Sequence, residues 1–352
     1  MGSIPKIKGR GAQVNTNNKF LEHCIEYDDA FSYLEKDNFR DQKTKYLIEH
    51  PKKIVNEIKS PDLRMGKSAN PYQGCEHGCI YCYARNTHEY FGFSAGLEFE
   101  QKIIVKKNAA ELLEKELNKK SWIPKPIMFS GNTDCYQPAE KEFKLTRAML
   151  EICLKYGNPV TIITKNSLIR RDIDILKKLS EERLISVIIS LTTLNEELRR
   201  ALEPRTVSGL KRLEIVKFLN ENGIPTGVNT APIIPGLNDH EIPELIKQAA
   251  ANGACWAGYT TVRLNGSVGK IFEDWIYKTF PNKAEKVLKQ IKEMHGGTLN
   301  DSTFGRRITG EGHYAEHIKQ LHRLARKKYM PDRQFPELEI SKFKRHGQIN
   351  LF

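Results

Sequence analysis

The sequence predicts an α/β fold, a partial (β/α)6 barrel of the TIM type with helical N- and C-terminal extensions. Short apolar runs alternate with amphipathic stretches from residue 65 to about residue 270, as is typical of parallel βαβ units. The apolar runs are nearly continuous, which suits a parallel sheet covered by helices. Because such barrels carry their chemistry at the C-terminal ends of the strands, we expect the functional residues there.

The individual elements of this core can be placed from their patterns. The predicted strands are residues 127–130, 160–164, 184–191, 226–234 and 257–264. The predicted helices are residues 144–156, 170–180, 209–223 and 240–253. One further strand, poorly marked and close to a group of cysteines, brings the total to about six units.

We predict three divisions of the chain. An N-terminal extension at 1–60 contains a helix near Lys45–Lys59 and precedes the core at 61–270. A basic, mostly helical C-terminal region at 271–352 ends in a flexible tail at 343–352. No apolar run approaches the roughly 20 residues that span a bilayer, and the N-terminus lacks a secretory apolar segment. We therefore expect a cytoplasmic protein with no membrane partner.

The net charge of +13 is unevenly distributed. Residues 281–352 carry 15 Lys and Arg against 8 Asp and Glu. Such a concentration favours a polyanionic partner, with nucleic acid first, and a solvated helical face is the alternative. We predict that residues 281–345 supply most of a nucleic-acid-binding face, with Arg326, Lys327 and Lys328 contributing.

Three of the seven cysteines lie within eight residues, in the pattern Cys75-x3-Cys79-x2-Cys82. An odd number of cysteines, crowded in this way in a cytosolic chain, favours metal binding over disulfides. Glycines before and within the motif would let the loop fold tightly around a bulky inorganic core. Three thiolates cannot saturate a cluster of four irons, so one iron would stay open for another ligand.

A zinc site is the alternative for this motif, with His77 or His88 as the fourth ligand. No second C-x2-C pair follows, however, and no histidine pair has finger-like spacing. The spacing and the βα pattern together favour an iron–sulfur cluster. We expect Cys24, Cys153 and Cys255 to be core or incidental residues.

The cysteine motif resembles the signature of the radical S-adenosylmethionine (radical SAM) superfamily, C-x3-C-x-aromatic-C, with Tyr81 as the aromatic residue. The resemblance implies a four-iron four-sulfur cluster held by Cys75, Cys79 and Cys82. It implies that S-adenosylmethionine binds the open iron through its amino and carboxylate groups. Reductive cleavage of this cofactor would then release a 5′-deoxyadenosyl radical that abstracts hydrogen from the substrate.

Further stretches resemble the spore-photoproduct-lyase-like branch of that superfamily, in the subgroup often labelled DNA repair photolyases. They are residues 68–82, 131–147, 164–176, 190–206, 231–239 and 296–312. This resemblance implies lyase-like chemistry on a nucleic acid, with a DNA lesion favoured, and a reductant such as flavodoxin or ferredoxin. A radical SAM enzyme modifying RNA or a peptide is one alternative, and a non-enzymatic, zinc-containing nucleic-acid-binding module is another.

The resemblance also implies which strand-end residues bind the cofactor. The candidates, besides Tyr81, are Gly131, Asn132, Asp134, Lys165, Ser190 and Asn229. Residues 131–134 would face the methionine amino group, in a loose match to the Gly-Gly-Glu segment of the family. Lys165 would pair with the cofactor carboxylate, Ser190 would lie near the methionine or ribose, and Asn229 would flank ribose and adenine. The alternative for each is a strand-end turn or a helix cap.

Cys135 and Tyr136 are candidates for returning hydrogen to a substrate radical, and Tyr83 is another relay candidate. Cys135 stands where the subgroup commonly has proline, so an inert core thiol is the alternative. We expect Glu203 and Arg205 to form an ion pair that supports their loop.

The last five residues, Gln348–Phe352, read QINLF and resemble the peptide by which bacterial repair and replication proteins bind the sliding clamp. In that mode Leu351 and Phe352 would fill an apolar pocket, while the Gln348 amide would form hydrogen bonds at its rim. The alternative is that the two apolar residues fold back onto the protein's own helices.

Overall fold

Within the residues that the computed structural model describes (7–20, 43–62 and 66–345), the central element is a seven-stranded sheet. The strands are β1 (Lys45–Glu49), β2 (Val55–Glu57), β3 (Lys67–Ala69), β4 (Tyr72–Gln73), β5 (Lys102–Lys106), β6 (Ile127–Phe129), β7 (Val160–Thr164), β8 (Ile185–Ser190), β9 (Thr226–Ile233) and β10 (Trp256–Thr261). The order in the central sheet is β10-β9-β8-β7-β6-β3-β2. Strands β3 and β6 to β10 pair in parallel, whereas β2 pairs antiparallel with β3. This topology confirms the predicted partial (β/α)6 barrel.

Helices connect the parallel strands, as the alternating pattern predicts. The helices are α1 (Glu98–Gln101), α2 (Ala109–Leu117), α3 (Ala139–Phe143), α4 (Leu145–Tyr156), α5 (Ile173–Glu181), α6 (Glu196–Leu202), α7 (Gly209–Glu221), α8 (Ile242–Ala251), α9 (Ser267–Thr279), α10 (Pro281–Met294), α11 (Arg306–Thr309) and α12 (Gly312–Tyr329). Short 3₁₀ helices occupy Tyr83–Phe91, Ser167–Asp172 and Asp239–Glu241. The predicted helix at 170–180 therefore begins as a 3₁₀ turn and continues as α5. None of the described helices combines the length and apolar character that a membrane crossing requires.

The core lies between the sheet and these helices. Every residue of β8 is buried, and α5 turns Ile175, Leu176 and Leu179 toward the sheet while its lysines stay on the outer side. Full burial of one such side chain contributes about 1.5–3 kcal/mol, so the helices are fixed by packing more than by helix propensity. The same packing brings the C-terminal ends of the strands together at one edge, which we call the mouth. The opposite edge, at the N-terminal ends, is the base.

The prediction of a helix near Lys45–Lys59 is wrong. Residues 45–49 form β1, which runs parallel to β5, and residues 55–57 form β2 at the edge of the central sheet. A second sheet has the order β1-β5-β4. Pro51 opposes a continuous helix, and pairing with the apolar β5 strand supplies β1 with backbone partners. Where the structure describes the N-terminal extension, it is therefore not helical, and it joins the core sheets.

The C-terminal region is helical only as far as Tyr329. Residues 330–345, which we call the basal belt, have no regular secondary structure and run across the base of the barrel. The Phe335 ring lies 5.7 Å from the ring of Trp256, the first residue of β10. The Glu339 amide donates to the carbonyl of Arg183, just before β8.

The end of the belt corrects the expected start of the flexible tail. The Lys344 amide donates to the Tyr156 carbonyl over 2.9 Å, and the Arg345 guanidinium donates to the Trp122 carbonyl over 3.0 Å. Phe343 packs against Tyr156, with ring centroids 6.5 Å apart. Residues 343–345 are therefore held at the base, while 346–352, including the clamp-like peptide, lie outside the described residues.

Candidate active site

The cysteine loop follows β4 and is shaped by two glycines. Gly74 and Gly78 have φ angles of +77° and +68°, in the left-handed region that favours glycine. A Cβ at Gly74 would come within 2.8 Å of the Lys102 carbonyl oxygen. The Cys75 amide donates to the Phe99 carbonyl, and the Ile80 amide donates to the Leu202 carbonyl. The loop is thus anchored on both sides, with its three thiols free.

The three thiols form one buried group. Cys75 and Cys79 are 6% and 7% exposed, and Cys82 is half-buried. Burial raises the pKa of Cys75 well above its usual value, and Asp134 and the other two cysteines raise it further. Burial likewise raises the pKa of Cys79 to about 12, although Lys165 lowers it. Three buried thiols in one loop ionise together only when bound cations compensate them, so the donor set fits an iron–sulfur cluster.

The zinc alternative finds no support in the positions of the two histidines. His77 Nδ1 lies 3.4 Å from Asp134 Oδ2, and His77 Nε2 lies 3.1 Å from the Asn166 side-chain nitrogen. His88 is fully buried between Phe93 and Phe99, with ring centroids 5.2 Å and 5.6 Å away. Among the described residues, no group of three His, Cys, Asp or Glu side chains, the three cysteines included, is arranged to hold a single ion.

Asp134 connects the cysteine loop to the end of β7. Its Oδ1 accepts hydrogen bonds from the Thr164 hydroxyl and the Tyr136 amide, and its Oδ2 accepts from the Lys165 amide. With His77 also beside Oδ2, both carboxylate oxygens have protein partners. These contacts orient the Asp134 carboxylate between the cysteine loop and the end of β7.

Tyr81, Glu203 and Arg212 form a buried network beneath the thiols. The Tyr81 hydroxyl donates to Glu203, and Arg212 pairs with Glu203 and donates to the Ser190 carbonyl. Burial raises the pKa of Glu203, but Arg212 and Lys165 lower it more strongly, to about 2. Glu203 is therefore an anion fixed within the protein.

The expected ion pair between Glu203 and Arg205 is wrong. Arg212, on the first turn of α7, is the partner of Glu203, while Arg205 lies 3.8 Å from Glu76. Lys165 lies 6.0 Å from the centre of the Tyr81 ring. Burial lowers the pKa of Lys165, yet Cys79 and Glu203 raise it above its ordinary value. A cation is thus retained beside the thiols.

The other cofactor candidates lie at neighbouring strand ends. Ser190 and Asn229 are register partners on β8 and β9, so their side chains share one face of the sheet. The Gly131 carbonyl accepts from the Tyr83 hydroxyl over 2.7 Å, and the Asn132 side-chain amide donates to Gln73 over 2.6 Å. These candidates therefore surround the mouth, on different strands.

The structure does not present Cys135 or Tyr136 to a substrate. Both are fully buried in the main core, and the Tyr136 hydroxyl donates to Asp172 over 3.1 Å. Burial raises the pKa of Cys135 well above its usual value. Their proposed role in hydrogen transfer is accordingly corrected to a packing role. Tyr83, by contrast, is 47% exposed directly after Cys82.

Sequence reasoning missed Gln137, whose side chain holds the cysteine loop through two hydrogen bonds. Its side-chain nitrogen donates to the Gly74 carbonyl over 3.0 Å, and its side-chain oxygen accepts from the Glu76 amide over 3.1 Å. Gln137 is fully buried. It lies in the stretch at 131–147 quoted for the resemblance, but a buried glutamine has no periodic pattern that would mark it.

A cationic and aromatic rim lies on one side of the mouth. The Arg263 guanidinium lies 5.8 Å from the centre of the Tyr83 ring and makes no hydrogen bond or ion pair with a described residue. Phe304 is 57% exposed, and the Arg307 guanidinium lies 4.3 Å from the centre of its ring. The Thr261 hydroxyl, at the C-terminal end of β10, donates to the Ile308 carbonyl. This contact places Phe304 and Arg307 beside the mouth.

The partial barrel with three free cysteines in one loop at its mouth is the arrangement of a radical SAM protein. The Radical SAM superfamily model matches residues 69–249, half of the chain, and this chain belongs to that superfamily. Members use a four-iron four-sulfur cluster and S-adenosylmethionine as cofactors.

Individual relatives extend the comparison. An uncharacterized protein of Mycobacterium tuberculosis is 34% identical over 230 residues, which cover 65% of this chain and 66% of that protein. The Radical SAM Nalpha-GlyT isomerase of Pseudomonas phage M6 is 29% identical over 185 residues, covering 52% of this chain and 36% of that protein. A spore photoproduct lyase mutant with bound AdoMet and dinucleoside spore photoproduct has the same fold, with a TM-score of 0.61 at 15% identity. That alignment covers 81% of this chain and 80% of the lyase.

Proposed function

We propose that this protein is a radical SAM enzyme that acts on a nucleic acid, with a DNA lesion as the favoured substrate and lyase-like chemistry. The buried group of three free thiols at the mouth carries the proposal. When bound by Cys75, Cys79 and Cys82, the cluster would supply the electron that cleaves S-adenosylmethionine to the 5′-deoxyadenosyl radical. The protein's own residues then hold the cofactor and exclude water from it.

The charges at the mouth suit this role. Lys165 remains a cation beside the thiols and could pair with the cofactor carboxylate. Ser190 and Asn229 share one face of the sheet and could contact the ribose side of the cofactor. Gly131 and Asn132 follow β6, where Tyr83 and Gln73 hold them.

The rim at the mouth supports a nucleic-acid substrate. The Arg263 guanidinium forms no hydrogen bond or ion pair with a described residue and is suited to a phosphate, and exposed aromatic rings such as Phe304 are suited to stacking on bases. The photoproduct bound to the lyase of similar fold is a dinucleoside, which is consistent with this substrate class. RNA offers the same phosphates and bases, so an RNA substrate is the second candidate, distinguished by direct binding to matched DNA and RNA.

The decisive experiment is anaerobic purification and cluster reconstitution, followed by an assay for 5′-deoxyadenosine with S-adenosylmethionine and dithionite. We expect brown protein that produces 5′-deoxyadenosine. A preparation that holds zinc tightly and takes up no iron would contradict the proposal. Replacing dithionite by flavodoxin or by ferredoxin then tests the proposed physiological reductant.

The proposed clamp contact is tested separately. The last described residue, Arg345, lies on the base of the barrel. We expect deletion of Gln348–Phe352 to abolish retention on immobilised bacterial sliding clamp without changing 5′-deoxyadenosine production. Retention of the deleted protein, or loss of folding on deletion, would remove this support for a DNA repair role.

A further inference from the structure

We propose that residues 10–18, here called the N-terminal strap, are part of the cluster site and hold the cysteine loop in its closed conformation. This inference rests on the proposed binding of the cluster by Cys75, Cys79 and Cys82. The superfamily model begins at residue 69, so the strap lies outside the part of the chain that it matches. Its role follows from three sets of contacts.

The first contact is a direct approach of two backbones. Gly11 lies against Gly78, the residue immediately before Cys79, so closely that a Cβ on Gly11 would be 1.8 Å from the Gly78 carbonyl oxygen. Such a distance is far inside van der Waals contact, and the obstacle is backbone, which cannot rotate away. Any side chain at position 11 must therefore push the strap off the cysteine loop.

The second contact is a buried carboxylate that joins the strap to the loop. Glu100 is fully buried, and its two oxygens accept hydrogen bonds from the Gly11 amide over 3.0 Å and the Ala12 amide over 2.8 Å. The same carboxylate pairs with Arg85 over 2.5 Å. Arg85 in turn donates to the Cys79 carbonyl over 3.0 Å. A continuous chain of bonds thus runs from the strap through Glu100 and Arg85 to a cluster ligand.

The third set of contacts fastens the remainder of the strap to residues 89–98. The Thr16 amide donates to the Ser94 hydroxyl over 2.7 Å, and the Asn18 side chain donates to the Glu89 carbonyl over 2.8 Å. A Cβ at Gly96 would be 2.0 Å from the Val14 carbonyl oxygen. The strap therefore contacts the rest of the protein along its whole length.

This arrangement has two consequences for a bound cluster. The strap covers the Gly78 side of the loop, so water, oxygen and chelators would reach the cluster from that side only after the strap opens. It also keeps the Arg85–Glu100 pair dry, next to the loop. Solvent exposure is one of the factors that set the reduction potential of an iron–sulfur cluster. Opening the strap would raise that potential, because water stabilises the more highly charged reduced cluster.

The test compares Gly11→Ala with Gly66→Ala in the reconstituted full-length protein. A Cβ at Gly66 would meet only the flexible end of Lys125, at 3.5 Å, so this variant is the matched control. We expect the cluster absorbance of Gly11→Ala to decay about tenfold faster than that of the wild type in air with chelator, because one or two buried hydrogen bonds are lost. Its cluster potential should rise, while Gly66→Ala should match the wild type in both measurements.

A second variant guards against misfolding of the first. Asn18→Ala removes bonds at the far end of the strap without a clash, and hydrogen exchange at the Gly11 and Ala12 amides reports whether the strap has opened. We expect faster exchange and faster cluster loss together. Faster exchange with an unchanged loss rate and potential would overturn the proposed role. Failure of the wild type to take up iron would instead contradict the proposed function itself.

Discussion

The mouth and the base of the barrel both contain buried or anchored charges, but the partners of these charges differ between the two regions. At the mouth, Glu203 and Arg212 pair with each other and hold Tyr81 near the thiols. At the base, Arg333 and Arg345 donate to backbone carbonyls that precede the strands. Arg326, in the last turn of α12, donates to the Arg333 carbonyl at this end. These three arginines of the C-terminal region thus lie away from the mouth, so a basic composition does not by itself locate a substrate site.

The largest effect should follow from removing a cysteine at the mouth. We expect Cys75→Ala, Cys79→Ala and Cys82→Ala each to abolish cluster uptake and cofactor cleavage, because three thiolates leave no spare ligand. Iron and sulfide analysis after reconstitution is the measurement.

Cys255, half-buried next to β10 at the base, is the matched control for these variants. Cys255→Ala should remain brown and active. Equal loss of iron in both groups would mean that the colour depends on folding and not on ligation at the mouth.

A comparison of cations tests which region meets a nucleic acid. The sequence predicts that neutralising Arg326, Lys327 and Lys328 together flattens the salt dependence of binding. Arg326 donates to the Arg333 carbonyl at the base, and Lys327 and Lys328 lie in the same last turn of α12, so we expect Arg263→Gln at the mouth to have the larger effect. It should lower the slope of log affinity against log salt by about one phosphate contact. Fluorescence anisotropy with labelled DNA, over a range of salt, measures this slope.

The reverse result would be informative. A flattened slope in the triple variant alone would place nucleic acid at the base and contradict the proposed rim. Binding that is insensitive to salt in the wild type would count against a polyanionic substrate altogether.

The Glu203–Arg212 pair should make the stability of the mouth depend on acid. The pKa of Glu203 is lowered to about 2, so its stabilisation is present above its ordinary pKa near 4.5 and is lost as pH falls through 2. That shift corresponds to about 3 kcal/mol of unfolding free energy. Urea unfolding of the cluster-free protein between neutral and acid pH measures it. Glu203→Gln should be less stable at neutral pH and show a weaker loss in acid. An unchanged pH profile in this variant would assign the acid sensitivity to other carboxylates.

The smallest effect should come from the base. Arg333→Ala removes two hydrogen bonds, to the carbonyls of Ala250 and Ala254. We expect a loss of about 1–3 kcal/mol in unfolding free energy, with cluster uptake unchanged. Thermal unfolding together with iron content tests both parts. A loss of iron in this variant would show that the base and mouth are coupled.

The sequence was sufficient for those parts of the molecule in which local pattern and structure agree. Val160–Thr164 is predicted residue for residue, because a continuous apolar run between helical patterns has few other places in an α/β fold. The cysteine spacing is equally informative, since it places three ligands in one short loop.

Other parts depend on partners that local pattern does not reveal. Arg212 reaches Glu203 only because α7 starts beside the end of β8, and the nearer Arg205 turns to Glu76. Strand β1 forms because it pairs with the edge of β5. The residues of β1 alone are equally compatible with a helix. Glu100 accepts hydrogen bonds from the amides of Gly11 and Ala12, which lie nearly ninety residues away in the sequence.

The basal belt has a consequence for the order in which the chain folds. It contacts segments that begin β6, β7, β8, β9 and β10, and its contact with Trp122 joins residues separated by 223 positions. Contacts of such long sequence separation form late, because the loop between them must close first. During synthesis on the ribosome, the belt emerges only after every strand it crosses has been made. Its docking is therefore a final step that can occur only on a barrel whose strands are already in place.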